Sequence, residues 1–334
     1  MAMTPDPRPD ARPVPQRARA VSLLGILAVS TASVFVRLAQ ASGGPSLLIA
    51  AGRMLVAALV LLPATVWLDR KRLRRVGRRD AGLAILSGLF LAAHFASWIT
   101  SLEMTSVASS VVLVTTTPIW VSLASTLFLR EPPKGGTFLG MLVALAGSGV
   151  VALSQVCTLA GGLKCAPHAL ALSGPALRGD GLALLGAWMV SGYFLIGRSL
   201  RPRMPLRVYA LLTYGTAGIV LLGALLVIGI PLAPYPLEVY AWIIALGLVP
   251  QLIGHSAFNW ALRYLSATFV TVTVLGEPVG SIFLAWIVLG EAPLPFQLTG
   301  AALILVGILA ASRTEVGVRE DAARRAESDP HPMA

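Results

Sequence analysis

Charge is scarce in this sequence. Asp, Glu, Lys and Arg together make up 12% of the 334 residues, whereas a soluble domain carries about 25%. Cysteine and histidine are rarer still, at two and four residues. So few and such scattered ligands build no metal spacing, and neither a metal nor another cofactor is expected. No Gly-x-x-x-x-Gly-Lys-Ser/Thr loop occurs, which excludes ATP drive by this chain itself. Regular alternation of apolar and polar residues is also missing, and with it the signature of an outer-membrane barrel.

What fills the sequence is apolar. Hydrophobic residues reach 56% and the mean hydropathy is +0.79, more apolar surface than a soluble core can bury. A hydrocarbon crossing needs roughly 20 largely apolar residues. Ten such runs are bounded by charge, Pro or Gly: about 21–40, 46–67, 81–102, 107–129, 137–154, 180–199, 207–229, 238–260, 267–289 and 296–312. The expected class is an all-α integral membrane protein with ten transmembrane helices.

The net charge of +11 does not point to nucleic acid, because its distribution explains it. With residues 1–20 placed in the cytoplasm, 22 of the 26 Lys and Arg fall on the tails and on cytoplasmic loops, as the positive-inside rule requires. Both termini are then cytoplasmic. Residues 1–20 and 313–334 read as disordered tails. The run 21–36 followed by Ala39-Gln40-Ala41 superficially resembles a signal peptide, but Arg37 interrupts it and cleavage would remove a needed helix. Cys157 and Cys165 share the longest connection, an extracytoplasmic loop over 155–178. An oxidising compartment permits a disulfide there, and two unpaired thiols are the alternative.

The chain repeats itself. Segment 102–147 lies on 262–307 without a gap and with eleven identities, among them Pro118/Pro278, Glu131/Glu291, Pro133/Pro293, Gly140/Gly300 and Gly147/Gly307. The two repeats span 21–154 and 179–312. Five helices per repeat is an odd number, so the repeats are inverted, a plan that transporters use to place a site between their halves.

These features resemble the drug/metabolite transporter superfamily, specifically its ten-helix EamA-type members, over about residues 21–312. The resemblance rests on Gly179-Asp180-Gly181-Leu182-Ala183-Leu184-Leu185-Gly186-Ala187-Trp188 and on Ala50-Ala51-Gly52-Arg53-Met54. It rests also on helices 4 and 9, where an intramembrane Pro is followed by a closing Glu, Pro118 with Glu131 and Pro278 with Glu291. It implies that helices 1–4 and 6–9 surround a central cavity with 5 and 10 peripheral. It also implies export or exchange of solutes, often proton-linked, with substrates among amino acids, sugars and other metabolites.

Ionisable residues at bilayer depth are costly and face partners or water-filled cavities. Glu277 is the one acid near mid-span, about 15 Å deep at 1.5 Å per residue, and it precedes Pro278. It is the candidate for proton coupling; the structural alternative is a permanent pair with Arg53 or a histidine. His94 and His255 fall one position short of being repeat mates, with Trp98 and Asn259 one turn on from each. Arg53, His94, Trp98, Thr117, His255 and Asn259 are the candidate substrate contacts. The bland alternative for the histidines is an interhelical hydrogen bond, and for Thr117 a bond to its own backbone. Arg37 reads as snorkelling to the headgroups. Trp120, Tyr193 and Tyr214 are placed to line the cavity, with packing or interface anchoring as the commoner reading. Glu131 and Glu291 read as turn stabilisers. Gly140, Gly147, Gly149, Gly300 and Gly307 permit close approach, within the chain or at a homodimer contact.

The sequence thus reads as a secondary transporter of a small solute in the bacterial inner membrane, with the lipid bilayer and the solute as its partners. A membrane enzyme or flippase acting on lipid-linked substrates, or a non-transporting sensor, is the competing class. An enzyme would need His, Asp, Glu or Cys clustered at one interface, which these short loops lack.

Overall fold

The computed structural model describes residues 16–105, 107–153, 157–158, 164–165, 175–289 and 292–328. Glu291, Ser106 and most of the 155–178 loop lie outside them. Among the described residues, ten helices are long and apolar enough to cross a membrane. They are span 1 (Ala20–Ala41), span 2 (Ser46–Leu68), span 3 (Arg78–Met104), span 4 (Val112–Leu129), span 5 (Gly135–Leu153), span 6 (Pro175–Leu200), span 7 (Leu206–Ile228), span 8 (Leu237–Ala261), span 9 (Ala267–Leu284) and span 10 (Pro295–Thr314). In hydrocarbon every backbone group must find its partner within the segment, so long apolar runs become helices. Large apolar side chains such as Leu59, Leu123, Leu139, Ile219 and Leu305 project outward.

Packing follows the repeat. Span 3 lies on span 6 and span 8 on span 1, while spans 2 and 7, 4 and 9, and 5 and 10 pair across the middle. Advancing each span by five exchanges the first two pairs and returns the last three to themselves. That is the pattern of a two-fold relation between inverted halves. We call the end carrying both termini the tail end, and the end carrying the connection between spans 5 and 6 the loop end.

Spans 5 and 10 cross at glycines. A Cβ on Gly140 would sit 2.4 Å from the Gly307 carbonyl oxygen, and one on Gly147 would sit 2.7 Å from that of Gly300. The two contacts are repeat images of each other, so these glycines serve packing within the chain. Gly147→Ala is expected to destabilise by about 1–3 kcal/mol through overpacking, read as a lower melting temperature of the purified protein. Gly149→Ala is the control, since its Cβ would meet nothing within 4 Å.

Spans 4 and 9 are interrupted at equivalent places. The helix Val107–Val114 gives way to a turn before helix Thr117–Ala124, and Ala267–Val274 gives way to one before Glu277–Leu289. The two breaks are repeat images, and Pro118 and Pro278, which lack the N–H an unbroken helix uses, sit just after them. Thr117 and Glu277 therefore each open the resumed helix. Span 8 contains a π-helical stretch, Gly247–His255, with Pro250 inside it.

At the loop end, Cys157–Thr158 pairs antiparallel with Lys164–Cys165, setting Cys157 opposite Cys165, and Cys157 is disulfide-bonded. At the other terminus the helix from Pro295 continues to Ser328, past residue 313 where the sequence suggests disorder. The added stretch is rich in Ala, Arg and Glu, all strong helix formers.

Candidate functional site

Between the two halves lies a cavity of about 440 Å³ to which every span except span 7 contributes. Its lining includes Arg53, His94, Trp98, Thr117, His255 and Glu277. It reaches the loop end, where Arg37, Leu38, Ala152 and Gln297 edge its mouth. Spans 5 and 10, expected at the periphery, thus touch the mouth through Val151, Ala152 and Gln297. Arg37 is exposed there and borders the cavity.

Arg53 is 1% exposed. Gly52 and Gly247 bring spans 2 and 8 close, since a Cβ on the first would meet Ile243 at 2.5 Å and one on the second would meet Val56 at 2.6 Å. Across that contact Arg53 Nη2 donates to Gln251 Oε1 at 3.0 Å, and the guanidinium lies 4.1 Å from the Phe95 ring centre. Its Nε and Nη1 have no acceptor among the described residues. Among the described residues no carboxylate comes within ion-pair distance of it. A buried guanidinium with two idle donors on a cavity can take an anionic ligand, which would offset the cost of an unpaired buried charge.

Glu277 occupies the other wall. Its carboxylate makes no hydrogen bond or ion pair among the described residues, and the side chain is partly exposed to the cavity. It opens a helix, where the backbone N–H groups favour a negative charge. Ser30 fixes the segment instead, donating through Oγ to the Glu277 carbonyl at 3.0 Å, while Ser281 Oγ donates to the Ser30 carbonyl at 3.0 Å.

Aromatic rings close the space between these charges. His94 lies parallel to Trp98, with ring centres 6.1 Å apart and planes 2° apart. His94 Nδ1 lies 2.9 Å from the Gly186 carbonyl, which can only accept, so Nδ1 carries a proton and donates it there. His94 therefore makes an interhelical hydrogen bond and lines the cavity at once. His255 packs edge-on to Phe95 at 5.6 Å, and its Nδ1 has no partner. Trp98 Nε1 is likewise unpartnered. Thr117 donates to the Val114 carbonyl at 2.7 Å and contributes wall, not a free hydroxyl proton.

Asn259 does not line the cavity. It sits one turn nearer the tail end, behind Phe258, where its Nδ2 donates to Tyr193 Oη at 2.6 Å and to Tyr214 Oη at 3.1 Å. Sharing a helix face with His255 is not enough, because the tyrosines of spans 6 and 7 reach its amide first. Trp120 also turns away, donating to Thr116 Oγ1 at 3.0 Å and meeting Trp188 at 5.5 Å. Sequence reasoning does not single out Gln251 and Phe95, although signals exist: Phe95 is the repeat mate of His255, and Gln251 lies one helical turn before His255.

Below the Asn259 node the tail end is tied shut. Arg198 grips Glu131 through Nε and Nη2 at 2.9–3.2 Å and donates through Nη1 to the Leu262 carbonyl at 3.0 Å. Glu131 is thus more than a turn stabiliser: it joins the ends of spans 4 and 6. Among the described residues the cavity reaches the loop end, and Arg198 and Glu131 bridge the tail end beneath it.

An inverted-repeat bundle whose halves enclose a mainly apolar cavity carrying a few charged and polar groups is a plan that transporters use. Residues 18–153 match the EamA-like transporter family, and residues 177–313 match it again. The chain belongs to the EamA-like transporter family. The two matched segments coincide with the two repeats. This EamA-like transporter is 28% identical over 214 residues to a probable terminal-alkyne amino-acid exporter of Streptantibioticus cattleyicolor, over 63% of this chain and 65% of that one. The match thus spans just under two thirds of that relative's length. It is 26% identical over 298 residues to an uncharacterized transporter of Archaeoglobus fulgidus, over 88% of this chain and 96% of that one. A solved crystal structure shares the fold, with a TM-score of 0.71 at 23% identity over 90% of this chain and 98% of the other.

Proposed function

We propose that this membrane transporter exports or exchanges a small amino-acid-like or related amphipathic solute across the bacterial inner membrane by alternating access, with Glu277 coupling movement to protons. The observation that carries this reading is the single cavity that holds the idle Arg53 donors, the unpaired Glu277 carboxylate and the aromatic wall between them. A solute with a carboxylate and a short apolar body would satisfy Arg53 and fill the space along His94, Trp98 and Phe95. The relative named as an amino-acid exporter supports the same class. The concentration of Lys and Arg at the tail end supports a cytoplasmic position for it, and the cavity then faces outward.

Alternating access requires the tail end to part while the loop end closes. The Arg198–Glu131 pair holds the first of these states. Both members are partly exposed, at 19% and 35%, so the pair is worth about 1 kcal/mol or less. Glu131→Gln is therefore expected to raise the tail-open population up to about fivefold, read as a longer distance between spin labels at Leu127 and Ser199. An unchanged distance distribution would remove the pair from the closure.

The function itself is tested in liposomes containing the purified protein. Under an imposed pH gradient, a radiolabelled small amino acid should accumulate above the level of protein-free liposomes, and dissipating the gradient should remove the excess. If a panel of amino acids and other carboxylate metabolites neither moves nor stabilises the protein, the substrate class is wrong.

A further inference from the structure

A second cavity, of about 620 Å³, lies at the tail end and is lined by three linkers: that between spans 2 and 3, that between spans 6 and 7, and that between spans 8 and 9. Six arginines face it, Arg72, Arg75, Arg201, Arg203, Arg207 and Arg263, against two carboxylates, Asp69 and Asp80. Both carboxylates are already engaged. Asp69 accepts from Arg207 at 2.6 Å and pairs with Arg72 at 3.5 Å, and Asp80 takes both oxygens to Arg203 at 3.0–3.2 Å.

Among the described residues the remaining arginines have no counter-charge. Arg75 and Arg263 make no ion pair among the described residues, and Arg263 has only the Tyr264 ring, 5.7 Å away. Arg201 is 2% exposed and donates only to backbone carbonyls, to Asn259 at 2.9 Å and to Met204. Burial, with Arg263 nearby, pushes its guanidinium down to about 10. Buried cationic charge that meets only carbonyl dipoles is an incomplete site. Guanidinium forks match the oxygens of a phosphate group. Trp260 and Tyr264 edge the same cavity, with ring centres 4.8 Å apart, and paired aromatics of this kind mark headgroup depth.

We propose that this cavity is a binding site for a phosphate group, supplied by an anionic phospholipid headgroup or by a free phosphate, with Arg75, Arg201 and Arg263 as its ligands. Its position gives binding a consequence. Arg201 is bonded to the Asn259 carbonyl, and Asn259 ties spans 6 and 7 to span 8 beneath the transport cavity. A phosphate joining the three linkers holds together the ends that must separate when the tail end opens. The site is independent of the solute and of the proton role of Glu277, because its test reads binding alone.

The full-length protein, stripped of lipid in detergent, is titrated with phosphatidylglycerol, with phosphatidylcholine of the same acyl chains, and with inorganic phosphate against chloride at equal ionic strength. Melting temperature and lipid retention in native mass spectrometry are the readouts. Stabilisation by phosphatidylglycerol but not phosphatidylcholine assigns the lipid source; stabilisation by inorganic phosphate over chloride assigns the free one. Arg75→Gln/Arg263→Gln alters two exposed, unpaired side chains and should weaken binding about twenty-five-fold, at about fivefold per arginine. Arg74→Gln/Arg79→Gln, outside the cavity, should not. Equal retention of both lipids with no effect of phosphate, or equal weakening by the two double variants, would overturn the site.

Discussion

Glu277→Gln is expected to abolish pH-gradient-driven transport, bringing it to the level of protein-free liposomes, while solute exchange down its own gradient continues. The variant keeps the shape of the side chain and removes the proton. Glu277 stands on the cavity wall with no partner for its carboxylate among the described residues, so it can take a proton from whichever solution the cavity faces. Crossing the occluded state as an anion would strand a charge in a dry site, whereas the protonated acid crosses at much lower cost. Coupling then follows from the protonation state each side imposes. Thr117, its repeat mate, keeps its hydroxyl proton on the Val114 carbonyl and cannot substitute. Parallel measurements of gradient-driven uptake and of counterflow separate this role from a folding defect, because a misfolded variant loses both. Gradient-driven uptake undiminished in the variant would remove Glu277 from the coupling.

The spans were legible because lipid leaves a chain few options: runs of about 20 apolar residues must become helices. The repeat was legible through residues that hydrophobic bias does not supply. Pro118 and Pro278 mark breaks in spans 4 and 9, and Gly140 and Gly147 prefigure the crossing with Gly307 and Gly300. The position of several cavity residues was legible for a related reason: ionisable groups at bilayer depth face partners or a cavity, and Arg53, His94, His255 and Glu277 all line one. What the sequence did not disclose depends on azimuth and reach. The π stretch Gly247–His255 changes the rotation per residue, so the faces of Gln251, His255 and Asn259 cannot be assigned from an α-helical wheel. Arg198 and Glu131 are 67 positions apart and in different halves, and no local pattern joins them. The arginines of the second cavity read only as inward-side charge, because three linkers distant in sequence bring them together.

Arg53→Ala is expected to weaken binding of a carboxylate-bearing substrate about a hundredfold, while its methyl ester binds both proteins alike. The Nε and Nη1 donors of Arg53 are desolvated and unmatched, and Nη2 gives Gln251 only one of its two hydrogens, so a ligand carboxylate can grip Nη2 together with either idle neighbour without displacing a protein partner. Charge-assisted hydrogen bonds are worth about 1.5–3 kcal/mol each, and a pair of them in a dry cavity accounts for the loss. Arg53→Lys should recover little. The ammonium is a compact point charge that cannot present two donors in a fixed fork, and it gives up the planar contact with Phe95 at 4.1 Å. Gln251→Ala should weaken binding less than Arg53→Ala, since Gln251 holds only Nη2 and orients the fork without touching the solute. Ligand-induced stabilisation of the purified variants measures all of these, because binding raises apparent stability by mass action. A loss shared equally by acid and ester would mean that Arg53 shapes the cavity; no loss for either would place the carboxylate elsewhere. A loss confined to the acid would fix one end of the solute at Arg53 and leave its apolar body along His94, Trp98 and Phe95.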